Sequence, residues 1–353
     1  MGSLTRFVAT RIALLIPMIW LLVTIVFFLL RVLPGANPAL VMNPKLTPAQ
    51  VQVISESLGL ERPLFEQYID FLIKTVTFDL GVSYRTNIDI ATELRLAFGP
   101  TLMLATFGVL IGVPLGIVMG GVAGANREGY KDHIIRLFTI GIYSLPIFLV
   151  GILMQMVFSF FIPDLFRGYD SIYHFLKELF PPVSLMDAGN TGEFTHFTEI
   201  WLIDTILSLR FDLTLDLLTH LMMPSLALGM LIAGVIARQV RTNMIYHLEQ
   251  DYVHFARSRG IPENIVKYRY ALKNSVVPAV GLISLQFALL LAGAILTETT
   301  FNIPGLGRYL FQSLQEKDFP AVQGIMVLFV IIVSIVSVIG DVLYALLDPR
   351  ITY

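Results

Sequence analysis

The sequence predicts an all-α membrane protein with about six transmembrane helices and a small helical region outside the bilayer between the first two. Three observations carry this. Hydrophobic residues make up 56% of the 353-residue chain and charged residues 14%, where soluble proteins average roughly 45–50% and about 25%. Six apolar stretches recur along the chain, each close to the ~20 residues that a helix needs to cross a hydrocarbon core of about 30 Å. Cations concentrate in alternate connecting segments. Backbone polar groups find no water in lipid, so the apolar stretches must be helices.

In order, the predicted spans are 12–30, 101–124, 137–161, 217–237, 280–300 and 325–346. The first follows Arg6 and Arg11 as a signal peptide would, but its run of 19 apolar residues exceeds a signal core of roughly 7–15. It is expected to be a retained helix. The second carries Gly108, Gly112, Gly116, Gly120 and Gly124 at every fourth position. Small residues four apart let helix backbones approach closely. A step of four on a 3.6-residue turn makes the stripe drift around the helix, which favours a helix crossed by several neighbours of the same chain over one flat seam. Pro114 and Pro146 are expected to kink spans two and three.

Segments 1–11, 125–136, 238–279 and 347–353 hold 13 Lys and Arg in 72 residues, against 11 in 149 for segments 31–100, 162–216 and 301–324. The positive-inside rule assigns the first set, and both termini, to the cytoplasm. The protein is expected in the cell membrane.

The chain divides into residues 1–100, a first span plus an outer helical region, and residues 101–353, a core of five spans with an outer insertion at 162–216 and an inner loop at 238–279. In the outer region, Thr47-Pro48 opens a helix that Gly59 ends, and Leu64, Tyr68, Phe71 and Leu72 are spaced for another. The insertion is acidic and aromatic, with turn signals at Phe180-Pro181-Pro182 and Asp187-Ala188-Gly189-Asn190. The inner loop places Tyr252, Phe255, Ala256 and Arg259 at helical spacing before Gly260-Ile261-Pro262, with a second helical stretch over 263–274. A polar helix at this face can lie on lipid headgroups or dock on a cytoplasmic protein.

Much chemistry is excluded. No cysteine is present, so no disulfide, thiolate nucleophile or Cys-ligated zinc can form. The dipeptide Gly-Lys is absent, so no phosphate-binding loop of the Gly-x-x-x-x-Gly-Lys type exists. The six histidines are scattered, and no His-Glu-x-x-His or Gly-x-Ser-x-Gly occurs. No catalytic residue and no metal site is expected, and a net charge of −2 gives no reason to expect nucleic acid. An ion-coupled transporter carries ionisable groups deep in its spans. Here only Glu298 and Asp341 lie in spans, near their ends, where structural pairing is expected first. Gln155, Gln286 and Glu298 are the candidates for lining a polar path, the two glutamines ahead of the acid.

Asp251-Tyr252-Val253-His254-Phe255-Ala256-Arg257-Ser258-Arg259-Gly260 resembles the cytoplasmic signature of binding-protein-dependent ABC importer permeases. The general pattern there is Glu-Ala-Ala, three residues, then Gly; Ala256 and Gly260 match, while His254 and Phe255 replace the first two positions. The departure resembles the dipeptide/oligopeptide/nickel branch, as do Ala271-Leu272-Lys273-Asn274-Ser275-Val276-Val277-Pro278, Gly59-Leu60-Glu61-Arg62-Pro63-Leu64, Asp79-Leu80-Gly81-Val82-Ser83, Glu298-Thr299-Thr300-Phe301-Asn302-Ile303-Pro304-Gly305-Leu306-Gly307 and Ala345-Leu346-Leu347-Asp348-Pro349-Arg350-Ile351. The resemblance runs from end to end and is weakest at 162–216.

It implies a type I ABC importer permease fold. It also implies that Asp251, Tyr252, Phe255, Ala256, Arg257, Arg259 and Gly260 form a coupling helix seated on a cytoplasmic ATPase subunit. Tyr252, Phe255 and Ala256 would supply the apolar face, with Arg257 and Arg259 at its rim. The implied partners are a second homologous permease, ATPase subunits that use ATP and Mg, and an extracytoplasmic solute-binding protein; no cofactor binds this chain. The implied cargo is a di- or oligopeptide, with oligosaccharides or nickel as alternatives within the branch and an ion-coupled secondary transporter outside it.

Overall fold

A computed structural model describes residues 2–31, 61–186 and 197–347. The Thr47-Pro48 helix up to Gly59, the Asp187–Asn190 turn and the ending from Asp348 lie outside the described residues. Within them the chain is helical, with one isolated bridge between Val82 and Asp89. The helices are α1 (Gly2–Arg31), α2 (Leu64–Thr77), α3 (Ile90–Ala125), α4 (Tyr130–Ser144), α5 (Ile147–Leu165), α6 (Asp170–Leu179), α7 (Trp201–Leu207), α8 (Phe211–Leu248), α9 (Asp251–Ser258), α10 (Glu263–Val276), α11 (Ala279–Gly293), α12 (Ile295–Thr300), α13 (Leu306–Gln315) and α14 (Phe319–Leu347). Five are long and apolar enough to cross a membrane, and the bent pair α10–α11 makes a sixth candidate.

The spans sort by burial. In α8, 72% of the apolar window is buried inside the chain; in α1 only 17% is. The first is the central post and the second a peripheral helix whose Ile16, Trp20 and Leu21 point outward. An outer surface this apolar has lipid as its solvent. α1 is held to α14 by an Arg11–Asp341 ion pair at 3.0 Å, and to α2 by Thr24 and Tyr68, whose hydroxyls lie 2.7 Å apart, above a cluster of Phe27, Tyr68 and Phe71. Asp341 is thus structurally paired, as expected.

The glycine stripe of α3 lies along α8. A Cβ on Gly112, Gly116, Gly120 or Gly124 would fall 2.5–2.8 Å from Ile232, Ile236, Val240 or Met244 side-chain atoms or from an α8 carbonyl. The α8 partners recur every four residues as well. A shared repeat of four exceeds the 3.6-residue turn, which suits a right-handed crossing. The drift therefore serves one partner that wraps with the stripe, where several crossing neighbours were expected. The packing is within the chain.

Two spans differ from expectation, one of them because of proline. Span three is not one kinked helix. α4 stops at Ser144, Leu145 is extended, and α5 restarts after Pro146; a residue before proline is pushed out of the helical region. Span five bends by 54° between α10 and α11, at Val277-Pro278, and ends at Gly293. Pro114, by contrast, sits within an uninterrupted α3.

The outer insertion folds back on the core. Leu185 and Met186 are buried, Ser184 N–H donates to Phe301 O at 2.7 Å, and the Glu199 carbonyl closes on Gly99, leaving no room for a Cβ. The Asp79–Ser83 stretch also has a fixed place. Gly81 turns the chain at φ +81°, and Ser83 Oγ donates at 2.5 Å to the buried Asp318, which also accepts Ala321 N–H at the start of α14.

Candidate functional site

The two ends of the α3–α8 pair are built differently. At one end α9 leaves α8 after Glu249-Gln250. Its Val253 and Ala256, three apart, are buried against Met244 of α8 and Val266 and Ala271 of α10. Met244 in turn fills the space at Gly124, whose Cβ would lie 2.5 Å from that of Met244. One methionine thus joins the short helix to the glycine seam.

The helix ends in a Schellman motif. Gly260 N–H donates to Arg257 O at 2.9 Å and Ile261 N–H to Ala256 O at 3.3 Å. Gly260 adopts φ +73° with nothing within 4 Å of an added Cβ. It is needed for its backbone conformation, not for lack of space. Arg257 forks onto Glu263 at 2.9 and 3.2 Å, bracing α9 against α10 across that turn.

The seven expected coupling residues therefore divide. Ala256 faces inward and fixes the helix to its own chain; Val253, next to it on that face, was not singled out from sequence although the spacing offered it. Arg257 is held by Glu263, and Tyr252, half-buried, pairs its hydroxyl with His247 Nδ1 at 3.1 Å. Asp251, Phe255 and Arg259 are exposed, with His254 and Ser258 beside them. Phe255 is 63% exposed, with the Arg259 guanidinium 5.8 Å from its ring centre. The outward apolar face is thus Phe255, not a Tyr252–Phe255–Ala256 stripe.

Close by, Asp132 at the start of α4 is fully buried and takes Arg241 of α8 in a fork at 2.6 and 2.8 Å. It also accepts Glu128 N–H at 3.0 Å. The guanidinium holds this carboxyl below its ordinary range, against the opposing effect of burial. No sequence motif announced this pair, whose members lie 109 positions apart.

At the other end Glu298 is also fully buried. One carboxylate oxygen accepts Thr101 Oγ1 at 2.7 Å; the other accepts Arg308 N–H at 2.9 Å, with Gly307 N–H a further donor. Thr101 Oγ1 accepts Leu306 N–H at 2.8 Å. The acid thus neutralises the N-terminus of α13 and ties α3, α12 and α13 together. Gly305 and Gly307 make room for it, since a Cβ on either would lie 2.4–3.0 Å from the carboxylate. Glu298 therefore lines no path, contrary to expectation, because its oxygens are committed inside the chain. Gln155 likewise spends its amide N–H groups on Pro182 O at 2.6 Å and Thr300 O at 3.3 Å. Gln286 differs. It is half-buried in α11 between the exposed Leu285 and Leu289, and its amide makes no hydrogen bond among the described residues. No cluster of three metal-ligating side chains occurs among the described residues.

Comparison with known proteins agrees with this architecture. Residues 112–353 match the family of binding-protein-dependent transport system inner membrane components, and residues 4–98 match the N-terminal region of such membrane components. The chain is 32% identical to the di/tripeptide transport system permease protein of Pseudomonas aeruginosa, over 98% of each chain. It is 31% identical to the dipeptide transport system permease protein of Escherichia coli, over 99% of each. It is 30% identical to the glutathione transport system permease protein of Pectobacterium atrosepticum, over 96% of each. With the family match over 112–353 and relatives aligned along almost the whole chain, the chain belongs to the binding-protein-dependent transport system inner membrane components, the permeases of ABC importers.

Proposed function

We propose that this chain is one of two homologous permease subunits that together form the path of an ATP-driven importer for di- or oligopeptides. An extracytoplasmic binding protein would deliver the cargo, and cytoplasmic ATPase subunits would bind and hydrolyse ATP. Both termini and α9 would face the cytoplasm, as the cation distribution argues. The observation that carries the reading is α9 itself. Its apolar pair Val253 and Ala256 is used up inside the chain, yet Asp251, His254, Phe255 and Arg259 still project outward. A large exposed ring beside a guanidinium is the kind of anchor that a protein groove receives.

Motion of the ATPase subunits would reach the spans through Met244. The buried side of α9 rests on it, and it is locked against Gly124, so α3 and α8 would move with α9 as one body. Gln286 supports a path between subunits. An amide without a partner is costly against hydrocarbon, so its face of α11 suits a polar passage or a second permease better than lipid. Peptide cargo is favoured because the relatives carry dipeptides, di- and tripeptides, and glutathione, itself a tripeptide.

The test is co-purification of the assembled importer with Phe255→Ala and Arg259→Ala. Both should leave yield and insertion of this chain unchanged while lowering recovery of the ATPase subunits and uptake of a labelled dipeptide. Full ATPase recovery and full uptake in both variants would refute the coupling assignment. Uptake of nickel or oligosaccharide in place of dipeptide would refute the cargo assignment alone.

A further inference from the structure

A cavity of about 400 Å³ lies between α4 and α8 on the α9 side of the bundle, lined by Arg136, Thr139, Tyr143, Ala237, Arg238 and Arg241. Arg136, Thr139 and Tyr143 fall on one face of α4 by their three- and four-residue spacing, and Arg238 and Arg241 lie one turn apart on α8. Of the three guanidinium groups, Arg241 is neutralised by Asp132. Arg238 lies over the Tyr143 ring at 4.9 Å, and neither it nor Arg136 has an ion-pair partner among the described residues. Other charges near this end do not cancel them. Arg127, bound to Glu249 at 3.0 Å and to Glu128 at 3.6 Å, and Lys131 together balance those two carboxylates, and Asp132, which Arg136 also reaches electrostatically, is spent on Arg241. The remaining wall is apolar, with Ala123, Ile135 and Ile140. Beside it α4 exposes Leu137 and Phe138.

We propose that this cavity binds the phosphate headgroup of an anionic phospholipid, with the acyl chains lying along Leu137 and Phe138. Two uncompensated guanidiniums, one on the membrane-crossing α8 and one on the shorter α4 beside it, call for an anion. The apolar wall and the exposed α4 side chains call for hydrocarbon attached to it. A free phosphate meets only the first demand. A zwitterionic lipid brings a cation towards two others. The leaflet rests on the orientation proposed above; in that orientation the site faces the cytoplasmic leaflet. An occupant would join α4 to α8 beside the Asp132–Arg241 pair, within reach of the region through which α9 is proposed to act.

The experiment is native mass spectrometry of the assembled importer, taken from vesicles of phosphatidylcholine containing a minor share of phosphatidylglycerol. The wild-type complex should retain phosphatidylglycerol through delipidation. Arg136→Gln with Arg238→Gln should weaken that retention about thirtyfold. Arg136→Lys with Arg238→Lys should restore it, which separates loss of charge from loss of fold. Lys131→Gln, a cation on the same helix outside the cavity, should change nothing. Equal retention by the double Gln variant, or equal retention of phosphatidylcholine by the wild type, would overturn the proposal. So would inorganic phosphate that displaces the lipid at modest concentration, since the site would then be a simple anion site. Such vesicles present both lipids on both faces, so a negative result counts against the site and leaves the orientation untouched.

Discussion

The two ends of the α3–α8 pair hold their neighbours by opposite means. At the α13 end a buried carboxylate, Glu298, collects a hydroxyl and two backbone N–H groups from different elements, and Asp318, immediately before α14, does the same. Such bonds are directional, and a shift of either partner leaves a buried polar group unsatisfied. At the α9 end the short helix itself is joined through a small apolar cluster around Met244 and exposed ion pairs, while the buried Asp132–Arg241 pair ties α4, not α9, to α8. Methionine is unbranched and adapts to its surroundings, and exposed ion pairs contribute little. The first end is tied by directional bonds; the second holds α9 by side-chain packing that continues through Met244 into the glycine seam. The glycine seam between them leaves no room for slack.

That contrast can be broken at its strongest point first. Gly116→Leu should separate α3 from α8, since even a Cβ there would sit 2.7 Å from Ile236 Cβ. The expected loss is about 3 kcal/mol or more, read as failed assembly or a collapse in the melting temperature of the purified importer. The same substitution at Gly141, where nothing lies within 4 Å, should be silent. Next is the α13 end. Glu298→Ala should cost about 3 kcal/mol, because Thr101 and the α13 N-terminus lose their acceptor; a melting temperature near wild type would show that the carboxylate is not the joint.

Smaller effects are expected at the α9 end. Asp132 has a carboxyl pKa lowered in the folded chain, so its contribution is present above the ordinary carboxylate range and lost as pH falls through the lowered value. A melting curve measured from neutral pH towards acid should begin to lose this contribution as pH enters the usual carboxylate range, with the loss complete below the lowered value. Asp132→Asn should lower stability at neutral pH and converge on wild type in acid. Parallel curves at all pH would sink the assignment. Smallest is Gly260→Ala, about 1 kcal/mol from the strained backbone alone. Its effect on coupling should therefore be slight, while Phe255→Ala, which costs the fold nothing, should impair it more.

Some of this was legible in the residues. The spans, the glycine stripe, and α9 with its terminating Gly260 follow from length, spacing and backbone chemistry, which are local. The family resemblance rested on the same short stretches. What escaped sequence is what pairs distant segments. Asp132 with Arg241, Ser83 with Asp318, and Thr101 with Glu298 are separated by 109 to 235 positions, and nothing local marks one member for the other. Ala256 illustrates the limit. Its spacing places it on an apolar face, but a short helix joined to its neighbours by two- and four-residue turns can turn that face either way. Sequence alone determined which segments are helical and membrane-bound, because hydropathy and backbone satisfaction act residue by residue. Only the tertiary structure decided which acid is a joint, which amide is left without a partner among the described residues, and which side of α9 is exposed, because those depend on what the rest of the chain brings within bonding distance.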